Sequence, residues 1–187
     1  MTEKQIEKLR LKIKKIKSTL ASEKRKFGTY DDSRGLRYMP TQYYIKLNDW
    51  SEGLKYVKWF QKNFPDDCGF PDFLFESSII IFKSGQLQLA EKKIFETFCS
   101  NTYVIDKYFE RPIIPIDKLE NSNIDIPEFT NFFNYSYKQA ELNDFSEWLE
   151  NLVKSDKFET VSKKYIEIYK RLKTENDRET RGYLLKQ

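Results

Sequence analysis

The chain has 187 residues, no histidine, two cysteines and a formal charge of +4. That size fits one domain with a sizeable core or a short repeat array. Without histidine there is no Ser-His-Asp triad, no Cys-His nucleophile and no HExxH zinc site. Two cysteines alone complete neither a four-cysteine zinc site nor an iron–sulfur cluster.

The charge is uneven. Residues 1–38 carry twelve Lys/Arg against five Asp/Glu, and the remainder carries 21 against 24. The basic signal is therefore local rather than a domain-wide nucleic-acid footprint. Residues 3–26 read as one helix, with Ile6, Leu9, Ile13, Ile16 and Leu20 at 3-4-3-4 spacing, Phe27 extending the seam and lysines on the other faces. Three readings stay open for it. It caps the rest of the fold; it self-associates as a short coiled coil through residues 6–20; or it meets nucleic acid or an anionic membrane through Lys12, Lys14, Lys15, Lys17, Lys24, Arg25 and Lys26. The start has no apolar run of signal-peptide type, and the longest apolar run, residues 79–82, is too short to span a bilayer. Cys68 and Cys99 have no CxxC spacing and read as reduced, inert thiols. The chain is expected to be cytoplasmic. The Asn134-Tyr135-Ser136 sequon then reads as chance.

After a loop at residues 30–35, helices alternate with punctuation. Pro40 opens a short helix over residues 41–47. Asp49 with Glu52 forms a capping-box pattern at the head of a second, over 50–63. Pro71 opens a third, which Ser84-Gly85 closes near residue 83, and a fourth spans about 87–99. A short segment at 103–109 precedes a stretch with Pro112, Pro115 and Pro127. It reads as irregular but ordered, because Ile113, Ile114, Ile116, Ile124 and Ile126 call for burial. Helices are predicted again over 129–141, 145–154 and 156–173. The last carries Phe158, Val161, Tyr165, Ile168 and Leu172 on one stripe, and a polar, fraying tail follows from Thr174. Strand alternation is weak, so the class is all-α.

The sequence also repeats itself. Residues 47–54, LNDWSEGL, return at 142–149 as LNDFSEWL, identical at six of eight positions, and loosely at 84–91 as SGQLQLAE. Each copy sits between two predicted helices, the signature of an α-hairpin array. These residues resemble the tetratricopeptide repeat (TPR) family, whose unit carries a turn glycine, an aromatic two later, a small residue five later and a closing proline. Asn48, Trp50, Gly53 and Pro65 fill those places in one unit, with Tyr44 before the turn. Gly85, Leu87 and Ala90 fill the first three in the next, with Ile94 one helical turn beyond. The second unit has Thr102 where the proline belongs, and the third copy has Trp148 in place of the small residue.

The resemblance implies antiparallel TPR-like hairpins over residues 36–104, an irregular insertion at 105–127 and a degenerate third hairpin at 128–155. Residues 1–27 and 156–175 would be terminal capping helices and 176–187 a tail. It further implies a concave groove lined by Tyr38, Gln42, Ile45 and Lys46 from the first unit and Phe75, Ile79, Phe82 and Lys83 from the second. That groove would bind a protein or peptide as an adaptor or scaffold. A dedicated inhibitor of one enzyme, such as an immunity protein, fits equally. No catalytic, cofactor or metal residues are expected. The Asp31-Asp32 and Asp66-Asp67 pairs fall in turns that favour Asp, and Asn121, Asn123 and Asp125 mimic a calcium loop that lacks its glycine and terminal Glu.

Overall fold

A computed structural model describes residues 1–30 and 34–187, so Asp31-Asp32 and the middle of the predicted 30–35 loop lie outside the described residues. All regular structure among the described residues is helical, with no strand. The chain divides into two compact units, Met1–Lys93 and Ile94–Gln187.

In the first unit, α1 (Glu3–Phe27) starts on a reciprocal capping box. Gln5 N donates to Thr2 Oγ1, and Thr2 N donates to Gln5 Oε1 at 2.8 Å. Its Ile13, Ile16 and Leu20 are buried, and α1 packs on α2 (Pro40–Leu47) and on the 3-10 turn Leu36–Tyr38. Ile13, Ile16 and Leu20 of the apolar seam are thus spent inside the chain, while Ile6 and Leu9 are half-open. Phe27 is exposed and does not extend the seam.

α2, α3 (Trp50–Asn63) and α4 (Pro71–Lys83) pack on one another. Rings pair Tyr44 with Tyr56 and Tyr38 with Phe60, centroids 6.0 and 5.7 Å apart. Thr41 Oγ1 lies 2.5 Å from Glu76 Oε2 and ties α2 to α4 in the interior. Gly53 sits at the three-helix contact. A β-carbon built on it would stand 3.2 Å from Tyr44 Cβ and 3.1 Å from Ile80 Cγ2. Helix α5 (Leu87–Ser100) begins in this unit with Ala90 fully buried.

In the second unit, the end of α5 meets α8 (Asp156–Thr174) through Phe95 and Phe98, whose rings lie 5.0 and 5.5 Å from Phe158. α6 (Val104–Tyr108) sends Tyr108 to α7 (Asn143–Val153), where its hydroxyl is 2.6 Å from Ser146 Oγ. The proline-rich stretch is irregular, and hydrogen bonds fasten it. Asn101 Nδ2 donates to the carbonyls of Ile124 and Ile126, and Leu119 N donates to Tyr169 O.

Four expectations are corrected here. Ile114 is exposed at 73%, and Ile113, Ile116, Ile124 and Ile126 are only half-buried. The buried side chain of that stretch is Lys118, with Nζ 5.7 Å from the Tyr103 ring centroid and its pKa lowered by burial. Residues 129–141 are not an α-helix. They hold the 3-10 turns Pro127–Phe132 and Ala140–Leu142 with irregular chain and a turn at 137–138 between, because Asn134, Ser136 and Gln139 bond to nearby backbone instead of leaving it to a helix. The proposed third hairpin at 128–155 therefore lacks its first helix. The tail is also ordered. α9 (Arg178–Leu184) is capped by Asp177, packs on α8 and buries Leu184.

Candidate binding face

The two clear repeat turns have the same backbone bonding. After α2, Asn48 N donates to Ile45 O and Asp49 N to Tyr44 O. After α4, Gly85 N donates to Phe82 O and Gln86 N to Ile81 O. Both are Schellman closures, with the left-handed residue at Asn48 (φ 51°) and Gly85 (φ 77°). Asn and Gly are the residues that reach this conformation most cheaply. The third copy differs. Asn143 has φ −55° and already belongs to α7, so no left-handed turn forms there.

The turns also touch. Ser84 Oγ donates to Trp50 O at 3.4 Å, and the Lys83 ammonium stands 5.6 Å from the Trp50 ring centroid. Trp50, the aromatic two residues beyond the first turn, thus becomes the platform for the second. The expected capping box is only half made. Asp49 accepts from Glu52 N, but Asp49 N is taken by Tyr44 O, and Glu52 pairs with Lys55 at 2.5 Å.

The predicted groove residues separate into two groups. Ile45, Phe75 and Ile79 are buried, Phe75 and Ile79 completely, and offer no surface to a partner. Their apolar positions are consumed by packing within the chain. Lys46 is exposed, and Tyr38, Gln42, Phe82 and Lys83 are half-open. Gln42 and Lys46 lie one turn apart on α2 and so share a face.

Tyr38 is held rather than free. Its hydroxyl donates to Asp67, with Oδ2 at 2.7 Å, and Arg37 Nε donates to the same oxygen at 2.8 Å. The Arg37 guanidinium stacks on Tyr38 and Phe64, 4.8 and 4.9 Å from the ring centroids. Burial, then the Asp67 hydrogen bond, pushes the Tyr38 phenol up to about 12. Asp67 had read only as a turn residue. A carboxylate in the α3–α4 loop opposite an Arg-Tyr pair was the available signal, though nothing in the sequence sets that pairing.

The second unit holds a cleft of about 390 Å³ that sequence patterns did not indicate. Phe98, Ile105 and Phe158 form apolar walls, and Asp106 and Arg111 lie 3.6 Å apart among its lining residues. Burial raises the Asp106 carboxyl, with Arg111 opposing the shift. Cys68 and Cys99 are free and exposed. Among the described residues, no group of three or more His, Cys, Asp or Glu side chains could hold a metal, and no helix is long and apolar enough to cross a membrane. Compared with protein-family models, curated proteins and solved structures, the chain matches none of them.

Proposed function

We propose that the chain is a non-catalytic, TPR-like hairpin module that binds a protein or peptide. The observation that supports this best is the equivalence of the Asn48 and Gly85 turns, which share their bonding and meet through Ser84 and Trp50. Hairpins stacked with their turns in register expose the first helix of each unit along one side, the usual seat for a peptide in such arrays. With Ile45, Phe75 and Ile79 in the core, the face offered to a partner is the one that Gln42 and Lys46 share on α2. A lysine and an amide one helical turn apart suit a partner segment carrying carboxylates.

The test is affinity capture with the intact chain, followed by Gln42→Glu/Lys46→Glu. The expected result is a partner held by the parent chain and bound at least about tenfold more weakly by the variant, a loss of roughly 1.4 kcal/mol, with an unchanged melting temperature. A partner retained equally by both would place the binding face elsewhere.

A further inference from the structure

Helix α1 carries ten Lys/Arg against Glu3, Glu7 and Glu23. At about 100° per residue, Lys4, Lys8, Lys12, Lys15 and Lys26 fall within an arc of roughly 80° beside the buried seam. All five are exposed. None makes an ion pair among the described residues; the contact that Lys12 makes is with the ring of Tyr43, 5.5 Å away. The acidic residues lie outside the arc. Glu3 and Glu7 fall on the other flank, and Glu23 is taken by Arg34 at 2.9 Å. Lys17, whose charge helps hold the Glu52 carboxyl of α3 below its ordinary range, also lies on the other flank. The arc thus carries no acidic residue and spans about 33 Å from Lys4 to Lys26 at 1.5 Å per residue, with four lysines over its first half, Thr19 and Ser22 beyond them, and Lys26 at its far end.

We propose that this strip binds the phosphate backbone of a nucleic-acid duplex. Its length is close to one duplex turn, about 34 Å. Lysines act as point charges that neutralise phosphates without reading bases, so binding is insensitive to sequence. An anionic membrane is the other polyanionic surface, but a helix that lies in a bilayer interface sinks an apolar face into it. The apolar face of α1 is buried on α2, which leaves Leu11 as the exposed large apolar side chain between the ends of the helix. The strip lies on α1, and the face assigned to a protein partner lies on α2.

The experiment is fluorescence anisotropy of the intact chain with labelled 20-base-pair DNA and RNA duplexes across 50 to 200 mM KCl. Five contacts on DNA give a slope of log K against log salt of about −4.5, a loss of roughly 500-fold over that range. Replacing Lys4, Lys8, Lys15 and Lys26 by Gln should flatten the slope to about −1. Replacing Arg10, Lys14, Lys17 and Arg25 by Gln removes the same charge from the other flank and should leave the slope within about one of the parent. If the first variant loses its helical circular dichroism, Lys8→Gln and Lys15→Gln are measured singly, each expected to lower the slope by about 0.9. Three results would overturn the proposal: no binding to either duplex at 50 mM salt, equal losses in the two four-site variants, or binding to phosphatidylserine vesicles without binding to a duplex.

Discussion

Gly53 faces Ile80 so closely that a β-carbon on the glycine would stand 3.1 Å from Ile80 Cγ2. The missing side chain is what lets α3 rest against α2 and α4 together. Two effects oppose each other on substitution. Alanine gains up to about 1 kcal/mol of helix propensity over glycine, while its methyl must push Tyr44 and Ile80 aside by a few tenths of an ångström. Gly53→Ala should therefore sit within about 1 kcal/mol of the parent. Gly53→Val adds two branched methyls to a filled space and should cost about 1–3 kcal/mol. Urea denaturation of the two variants checks the difference.

The left-handed turns give a sharper test of the repeat. A β-carbon on Gly85 would meet nothing within 4 Å, so Gly85→Ala probes backbone conformation alone. It should cost roughly 1–2 kcal/mol. Asn48→Ala should also destabilise, by about 1 kcal/mol, since Asn tolerates the left-handed region better than Ala does. Asn143→Ala should change stability by less than about 0.5 kcal/mol, because Asn143 is exposed and helical. An equal cost at 48 and 143 would contradict the distinction between a turn and its sequence copy.

The boundaries of α2 to α5 were legible because chemistry at their ends is local. Pro40 and Pro71 start helices, Asp49 caps one, and Asn48 and Gly85 end two others. Identity of sequence was not enough at residues 142–149, where the preceding segment decides whether Asn143 closes a helix or opens one. That segment, near Asn134 and Ser136, bonds to its own backbone and never forms a helix. The groove failed at Ile45, Phe75 and Ile79 for another reason. A stripe records that a face is buried, but not by what, and here neighbouring segments of the same chain fill it. α9 was missed because its apolar residues, Tyr183, Leu184 and Leu185, stand three in a row after a polar run and show no helical spacing, and its other tie, Arg181 donating to the carbonyls of Leu172 and Glu175, leaves no mark in the sequence.

Alkaline pH should weaken the fold. Burial pushes the phenols of Tyr38, Tyr44 and Tyr108 up to about 12, from an ordinary value of 10.0. The folded state then holds protons that the unfolded state has released, so stability is fully present below pH 10 and falls as pH rises from 10 toward 12. The melting temperature measured between pH 8 and 11.5 should be level at first and decline above pH 10. Tyr38→Phe should shed part of that decline. A flat profile to pH 11.5 would contradict the burial of these hydroxyls.

Asn101 carries the irregular segment of the second unit. Its side chain donates to Ile124 O at 2.6 Å and Ile126 O at 3.1 Å, while Oδ1 accepts from Tyr103 N at 2.9 Å. Asn101→Ala leaves these part-buried groups without that partner and should cost about 1–3 kcal/mol. Amide exchange should quicken first around residues 122–128, while α1 to α4 keep their protection. Unchanged exchange in that stretch would show that it is fastened by other means.

The central claim is that α2 offers a protein-binding face at Gln42 and Lys46. Site-specific photo-crosslinking measures this most directly, with a benzophenone amino acid placed at 42, at 46 and, as a control, at the exposed Lys163 of α8. One and the same protein should be joined to the chain from positions 42 and 46 and be absent from 163. Adducts that are missing at both α2 positions, or the same at all three, would contradict it.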